Sequence, residues 1–148
     1  MAARKPLVLV SGGYQQLQSG DTLDASVTET EVQVWTNDDA GNHVIGDVVY
    51  IDAADGVKKA KADASGTTKA IAFATATISN GTTGAYKTSG TLAGLTGLTA
   101  GATYYLSAAT AGAMTATAPS TLGQYVVRLG IAVSTTEFYI DIEPAILL

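Results

Sequence analysis

At 148 residues the chain has room for one domain with a real hydrophobic core and little more. Apolar residues make up 47% and charged residues only 14%, against a usual charged share of about a quarter, so the folded surface is built largely from neutral Thr, Ser, Ala and Gly and suits packing against copies or a partner. A net charge of −5 disfavours a grip on nucleic-acid phosphates, the absence of cysteine excludes disulfides and thiolate chemistry, and no apolar run is long enough to span a membrane.

The chain opens on "MAARKPLVLVSGG", whose apolar stretch runs only from Leu7 to Val10, too short for a signal peptide. The expectation is a protein that stays soluble in the cell that makes it until assembly or lysis. Residues 1–26 read as an extended arm with at most two short strands, because short apolar and Gln-rich runs are broken by Gly12, Gly13, Gly20 and Asp21. Residues 27–148 read as a β-rich body.

The body begins with "TETEVQVWT", where Val32, Val34 and Thr36 alternate against Glu31, Gln33 and Trp35. Period two predicts a strand. Trp35 lies opposite the valines, so either face can be the buried one, and a sheet covered on both sides suits both. In the following "NDDAGNHVIGD", His43 reads as a turn histidine and is the one imidazole available to a Ser-His-Asp triad. Asn37, Asp38, Asp39 and Asn42 are oxygen ligands of the kind Ca²⁺ takes, but they lack the alternate spacing and closing Glu of a calcium loop. A short helical turn is compatible with residues 38–42 or 120–123.

A weak internal echo follows. Residues 46–79 and 101–134 each start at a glycine, carry Tyr50-Ile51 or Tyr105-Leu106 and then Ala53-Ala54 or Ala108-Ala109, and turn at Gly56 or Gly112. A return strand is expected over 57–62 or 113–118, then a longer one centred on Ile71-Ala72 or Ile131-Ala132. Asp55-Gly56 has the composition of a two-residue hairpin turn, and Asn80-Gly81 supplies another turn. Residues 85–92 are compatible with one further strand. Nine to eleven short strands with regular turn signals predict an all-β fold: a single β-sandwich or β-barrel-like domain of short antiparallel strands.

No nucleophile elbow, phosphate loop or zinc-ligand spacing is present. Two acid pairs, Glu29 with Glu31 among Thr and Val, and Asp141 with Glu143 near the end, read as charged strand edges rather than a glycosidase couple. The chain is therefore expected to be no enzyme and to need no cofactor or metal. Lys58, Lys59 and Lys61 form the basic cluster, either solvating an edge or meeting an acidic partner. Tyr104 and Tyr105 point to opposite faces, so one is a surface candidate, and Tyr104 is expected to join the three lysines as a surface contact. Trp35 and most tyrosines are expected in the core. Ile146, Leu147 and Leu148 are costly in water and are expected to pack on the body or a partner.

"GDVVYID" with its glycine hairpin, "AIAFAT", "LTAGATYYLS" and "YVVRLGIAVSTTEFYIDIEP" together resemble small β-rich virion proteins of tailed bacteriophages, above all capsid cement or decoration proteins. The resemblance covers most of residues 44–144. "RKPLVLVSGGYQQLQSGDTL" is similar to a join sequence that precedes β-modules in phage fibre proteins. The resemblance implies a virion protein made in the host cytoplasm, bound to the capsid exterior as a homotrimer, with the major capsid protein and itself as partners and no catalytic residue to transfer. An arm with free backbone groups can add as a strand to a neighbour. Lys5, Pro6, Leu7, Val8, Leu9, Val10, Tyr14, Gln16 and Leu17 are accordingly the expected contacts to a capsid subunit or sister copy. The alternative is a head-fibre or tail-fibre module that recognises a host surface glycan through exposed aromatic faces and hydroxyls.

Overall fold

A computed structural model of the protein describes residues 7–10, 13–16 and 31–148. The described residues form an all-β architecture of short strands with no helix, and thus none long and apolar enough to cross a membrane. In the arm, β1 (Leu7–Val10) and β2 (Gly13–Gln16) pair antiparallel with each other, Leu7 opposite Gln16. The rest of the arm, Lys5, Pro6 and Leu17 included, lies outside the described residues.

Five strands close a barrel in the order β3-β5-β4-β6-β7: β3 (Val32–Asn37), β4 (Val48–Ala53), β5 (Gly56–Lys59), β6 (Ala72–Ala74) and β7 (Thr83–Lys87). A closed ring with an odd number of strands cannot alternate direction all the way round. One neighbouring pair must therefore be parallel, and it is β3 on β5, where Thr36 N–H donates to Asp55 O at 2.7 Å and Asp38 N–H to Val57 O at 3.0 Å. Every other pairing in the barrel is antiparallel.

A second, open sheet has the order β10-β9-β12-β13-β8, from β8 (Gly90–Ala93), β9 (Thr103–Leu106), β10 (Met114–Thr115), β12 (Arg128–Ala132) and β13 (Glu137–Ile140). Its plan repeats the barrel's, which reads β5-β4-β6-β7-β3 when opened at the parallel contact. In both, a hairpin is followed by a strand on the far side of the hairpin's first strand, then by another, and the strand preceding the hairpin covers the last. The sequence echo falls on the hairpins β4-β5 and β9-β10 with β6 and β12 returning. The second unit differs in that β8 and β10 do not meet. A ribbon of β11 (Tyr125–Val126) and β14 (Ile146–Leu147) completes the fold.

Alternation along the barrel strands feeds two cores. Val49, Ala72, Ala74 and Tyr86 join Val57 and Ile78 inside the barrel, with Trp35 and Ile71 against them. Their neighbours Val48 and Phe73, with Ala60 and Ala62, pack outward on the inner face of the open sheet at Leu106, Leu129 and Phe138. Phe73 and Phe138 have ring centroids 5.5 Å apart, and Tyr104 meets Phe138 edge-on at 6.0 Å. Strand β6 and the first two residues of β4, Val48 and Val49, are thus buried on both faces, whereas Ile51, Asp52 and Ala53 run out to the surface.

The Trp35 face of β3 turns inward, as expected for Trp35, while Val34 on the other face is 68% exposed. Other local expectations change. The β4-β5 turn is made at Ala54 and Asp55, and Asp55 alone takes positive φ (57°). Gly56 instead starts β5 where the Asp38 carboxylate occupies the space a Cβ would need, 1.8 Å from its ideal position. Residues 85–92 split into β7 and β8, because the chain bends at Ser89 to leave the barrel for the open sheet. Residues 38–42 are turned by the Asn37 side chain rather than by a helical turn: Asn37 Oδ1 accepts from Asp39 N–H and Nδ2 donates to Gly41 O. At 120–123 a β-turn takes the helix's place, Gln124 N–H donating to Thr121 O at 3.1 Å.

Candidate interaction surface

Two titratable side chains, Asp39 and Tyr86, meet at His43. The sequence reads it as a turn residue, yet it is fully buried, because its backbone pairs with Ile78 in both directions at 2.9 Å and draws the ring under the barrel. Asp39 Oδ2 lies 2.8 Å from Nε2 and the Tyr86 hydroxyl 2.9 Å from Nδ1. A carboxylate only accepts, so Nε2 carries the proton and Nδ1 accepts from the phenol. Asp39 Oδ2 also accepts the Lys59 amide at 2.7 Å.

This array has the outline of a nucleophile, base and orienting acid. Tyr86, however, has no exposed surface, and burial, assisted by the charges of Asp39, Asp47 and Asp38, pushes its phenol up to about 12. The hydroxyl is therefore both closed off and hard to ionise, and the three side chains brace the barrel end. Two surface clefts, of about 320 Å³ beside Asp47, Leu95 and Met114 and about 290 Å³ beside Ser107, Thr117 and Gln124, are lined by none of the three.

The remaining candidates are engaged within the protein. Asn37 Nδ2 reaches Ile78 O at 2.9 Å, and no group of three or more His, Asp or Glu among the described residues is placed to hold a metal ion. Glu31 pairs with Lys87 at 3.2 Å, while Glu29 lies outside the described residues. Asp141 and Glu143 both bind Arg128 Nη1, at 2.6 and 2.7 Å, so this acid pair is joined by a cation. The lysine cluster is paired residue by residue: Lys58 with Asp52 at 2.6 Å, Lys59 with Asp47 at 2.9 Å and Lys61 with Asp63 at 2.7 Å. All three are only partly exposed and present ion pairs rather than free cations.

Tyr104 is a correction. It is 7% exposed, faces the shared core, and its hydroxyl accepts the Thr99 amide at 3.0 Å. Tyr105, opposite it, is the partly exposed member.

Exposed apolar side chains lie on the barrel, at Val34 and Ile51 among others, and on the outer face of the open sheet. One rung crosses four strands as Thr91, Tyr139, Ile131 and Thr103. Tyr139 is 51% exposed and Ile131 37%, with Val133 56% exposed at the end of β12. The ion group of Arg128, Asp141 and Glu143 borders them. A second apolar surface lies at the ribbon, where Leu122, Ile146, Leu147 and Leu148 are all exposed. No protein-family model, no curated protein and no solved structure matches this chain.

The outer face was missed in the sequence because size misleads there. In "RLGIAVS" the small Ala132 is buried at 1% exposure while the larger Ile131 and Val133 face out. The alternation was visible, but its polarity followed only from the register with β13.

Proposed function

We propose that this chain is a non-enzymatic structural protein of a tailed-phage virion that binds the capsid exterior as a trimer and reinforces the shell. The observation that carries the reading is the outer face of the open sheet, with Ile131, Val133 and Tyr139 exposed on a sheet whose inner face is packed against the barrel. A solvated sheet face is ordinarily polar. Exposed aliphatic and aromatic groups in register mark a docking surface. The phrases of residues 44–144 that resemble phage cement proteins, and the low charge of the chain, support the same reading.

The mechanism is added interface. Each large apolar side chain that docks contributes roughly 1.5–3 kcal/mol, and a lattice of copies multiplies modest contacts by multivalency. Shell opening must then break cement contacts as well. Recognition of a host glycan would call for a groove with two or more exposed aromatics; within residues 31–148 Tyr139 alone is an exposed aromatic ring.

Two measurements test the proposal. Gold-labelled antibody to this chain, viewed on intact virions by electron microscopy, decorates the head; label confined to the tail tip overturns it. Undecorated shells of the same phage bind the wild-type protein and lose binding to the Ile131→Lys, Tyr139→Lys variant. Equal binding by the variant removes the sheet face from the account.

A further inference from the structure

The hairpin β1-β2 and the ribbon β11-β14 each lack what the other has. A two-stranded hairpin is marginal in water by itself and needs a face to pack on. Strand β1 is the uninterrupted apolar run Leu7, Val8, Leu9, Val10, and among the described residues it pairs with β2 alone. The ribbon, for its part, leaves Ile146 63%, Leu147 60% and Leu122 88% exposed in a chain that carries its own hairpin.

Among the described residues the ribbon has an edge with no partner strand. Leu148 N–H donates to Gln124 O at 2.9 Å, and Leu148 O accepts Gly123 N–H at 3.1 Å. Leu148 thus turns both of its backbone groups toward the β11 side. Successive residues of an antiparallel strand turn theirs to opposite sides. Leu147, paired with Tyr125, therefore directs its amide and carbonyl away from β11, where a further strand can join.

Charge agrees with shape. Residues 1–16 carry Arg4 and Lys5 and no acid, net +2, whereas residues 31–148 carry six basic and ten acidic side chains, net −4. Asp141 and Glu143 stand just ahead of β14. The fourteen residues 17–30 that join hairpin to body have a maximum reach of about 50 Å, enough to cross to a neighbouring molecule of this size.

We infer that the ribbon edge at Leu147 is the docking site for the β1-β2 hairpin of a second copy of this chain. Each copy then offers one hairpin and one ribbon, a head-to-tail contact that generates a ring where the rotation closes. The inference concerns self-association and does not rest on the capsid reading.

A complementation experiment tests it on the full-length chain. The hairpin variant Leu7→Asp, Leu9→Asp keeps an intact ribbon, and the ribbon variant Ile146→Asp, Leu147→Asp keeps an intact hairpin. Trp35 fluorescence confirms that both bodies are folded. By sedimentation velocity the wild type associates with concentration, each variant alone associates at least about tenfold more weakly, and an equimolar mixture regains association that stops at the dimer, because only one intact contact can form per pair. A wild type that stays monomeric, variants that associate like the wild type, or a mixture that stays monomeric each overturn the inference.

Discussion

Tyr86 shows how one buried hydroxyl ties local chemistry to global stability. Its folded-state proton is held to about 12, above the ordinary phenol value of 10.0, chiefly by burial. Between those two pH values the unfolded chain releases a proton that the folded chain keeps, so unfolding is favoured as pH rises. Stability is expected to be flat in this respect below pH 10 and to fall by about 2–3 kcal/mol by pH 12. Urea titrations at stepped pH measure it, and Tyr86→Phe abolishes that alkaline fall. The same substitution costs about 1–3 kcal/mol at neutral pH, because it leaves His43 Nδ1 without its donor. Gly130 makes a different demand. It sits at φ 144° beside the register shift of β12, and a Cβ there would lie 2.0 Å from the Tyr139 carbonyl oxygen. Because the obstacle is backbone, Gly130→Ala is expected to cost more than about 2 kcal/mol in urea unfolding; a loss under 0.5 kcal/mol would show that the bulge can shift. Neither residue was legible in the sequence. The burial of His43 follows from a bridge to Ile78, thirty-five positions away, and the constraint on Gly130 from a strand that follows it.

At the level of elements, strand existence was readable and strand partnership was not. Alternation at Val32 to Thr36 and Thr103 to Leu106, with turns at Asn80-Gly81 and Gly112, placed strands close to where they lie. The closure of the first unit, by contrast, depends on the long-range parallel contact of Thr36 with Gly56, and period-two patterning carries no information about direction. The strand pairings put the hairpin β1-β2 in a sheet of its own, apart from the barrel and the open sheet. Deleting residues 2–18 is therefore expected to leave the body folded, with a melting temperature within about 4 °C of the full chain, while shell binding and self-association weaken. Circular dichroism and sedimentation on the same preparation separate the two effects. A truncated protein that binds shells as tightly as the full chain would remove the arm from capsid contact.

At the level of the whole molecule, the two five-strand units share one plan, and besides the barrel's own interior they share one core. The outward face of the barrel supplies Val48, Ala60, Ala62 and Phe73 to the same cluster that holds Leu106, Leu129 and Phe138 of the open sheet. The open sheet has no second layer of its own among the described residues, so the barrel wall is the surface that keeps its inner face dry. Unfolding is accordingly expected to be a single cooperative transition rather than two. Trp35, the one tryptophan, reports the barrel, and far-UV circular dichroism reports both units. The two probes should give coincident urea curves in the wild type. They should remain coincident in Phe73→Ala, which removes a fully buried ring at the junction and is expected to lower stability by about 3–5 kcal/mol. Curves that separate in the variant, with the open sheet lost while Trp35 stays buried, would mean that the barrel stands alone and that its outer wall is a template for the second unit rather than half of a common core.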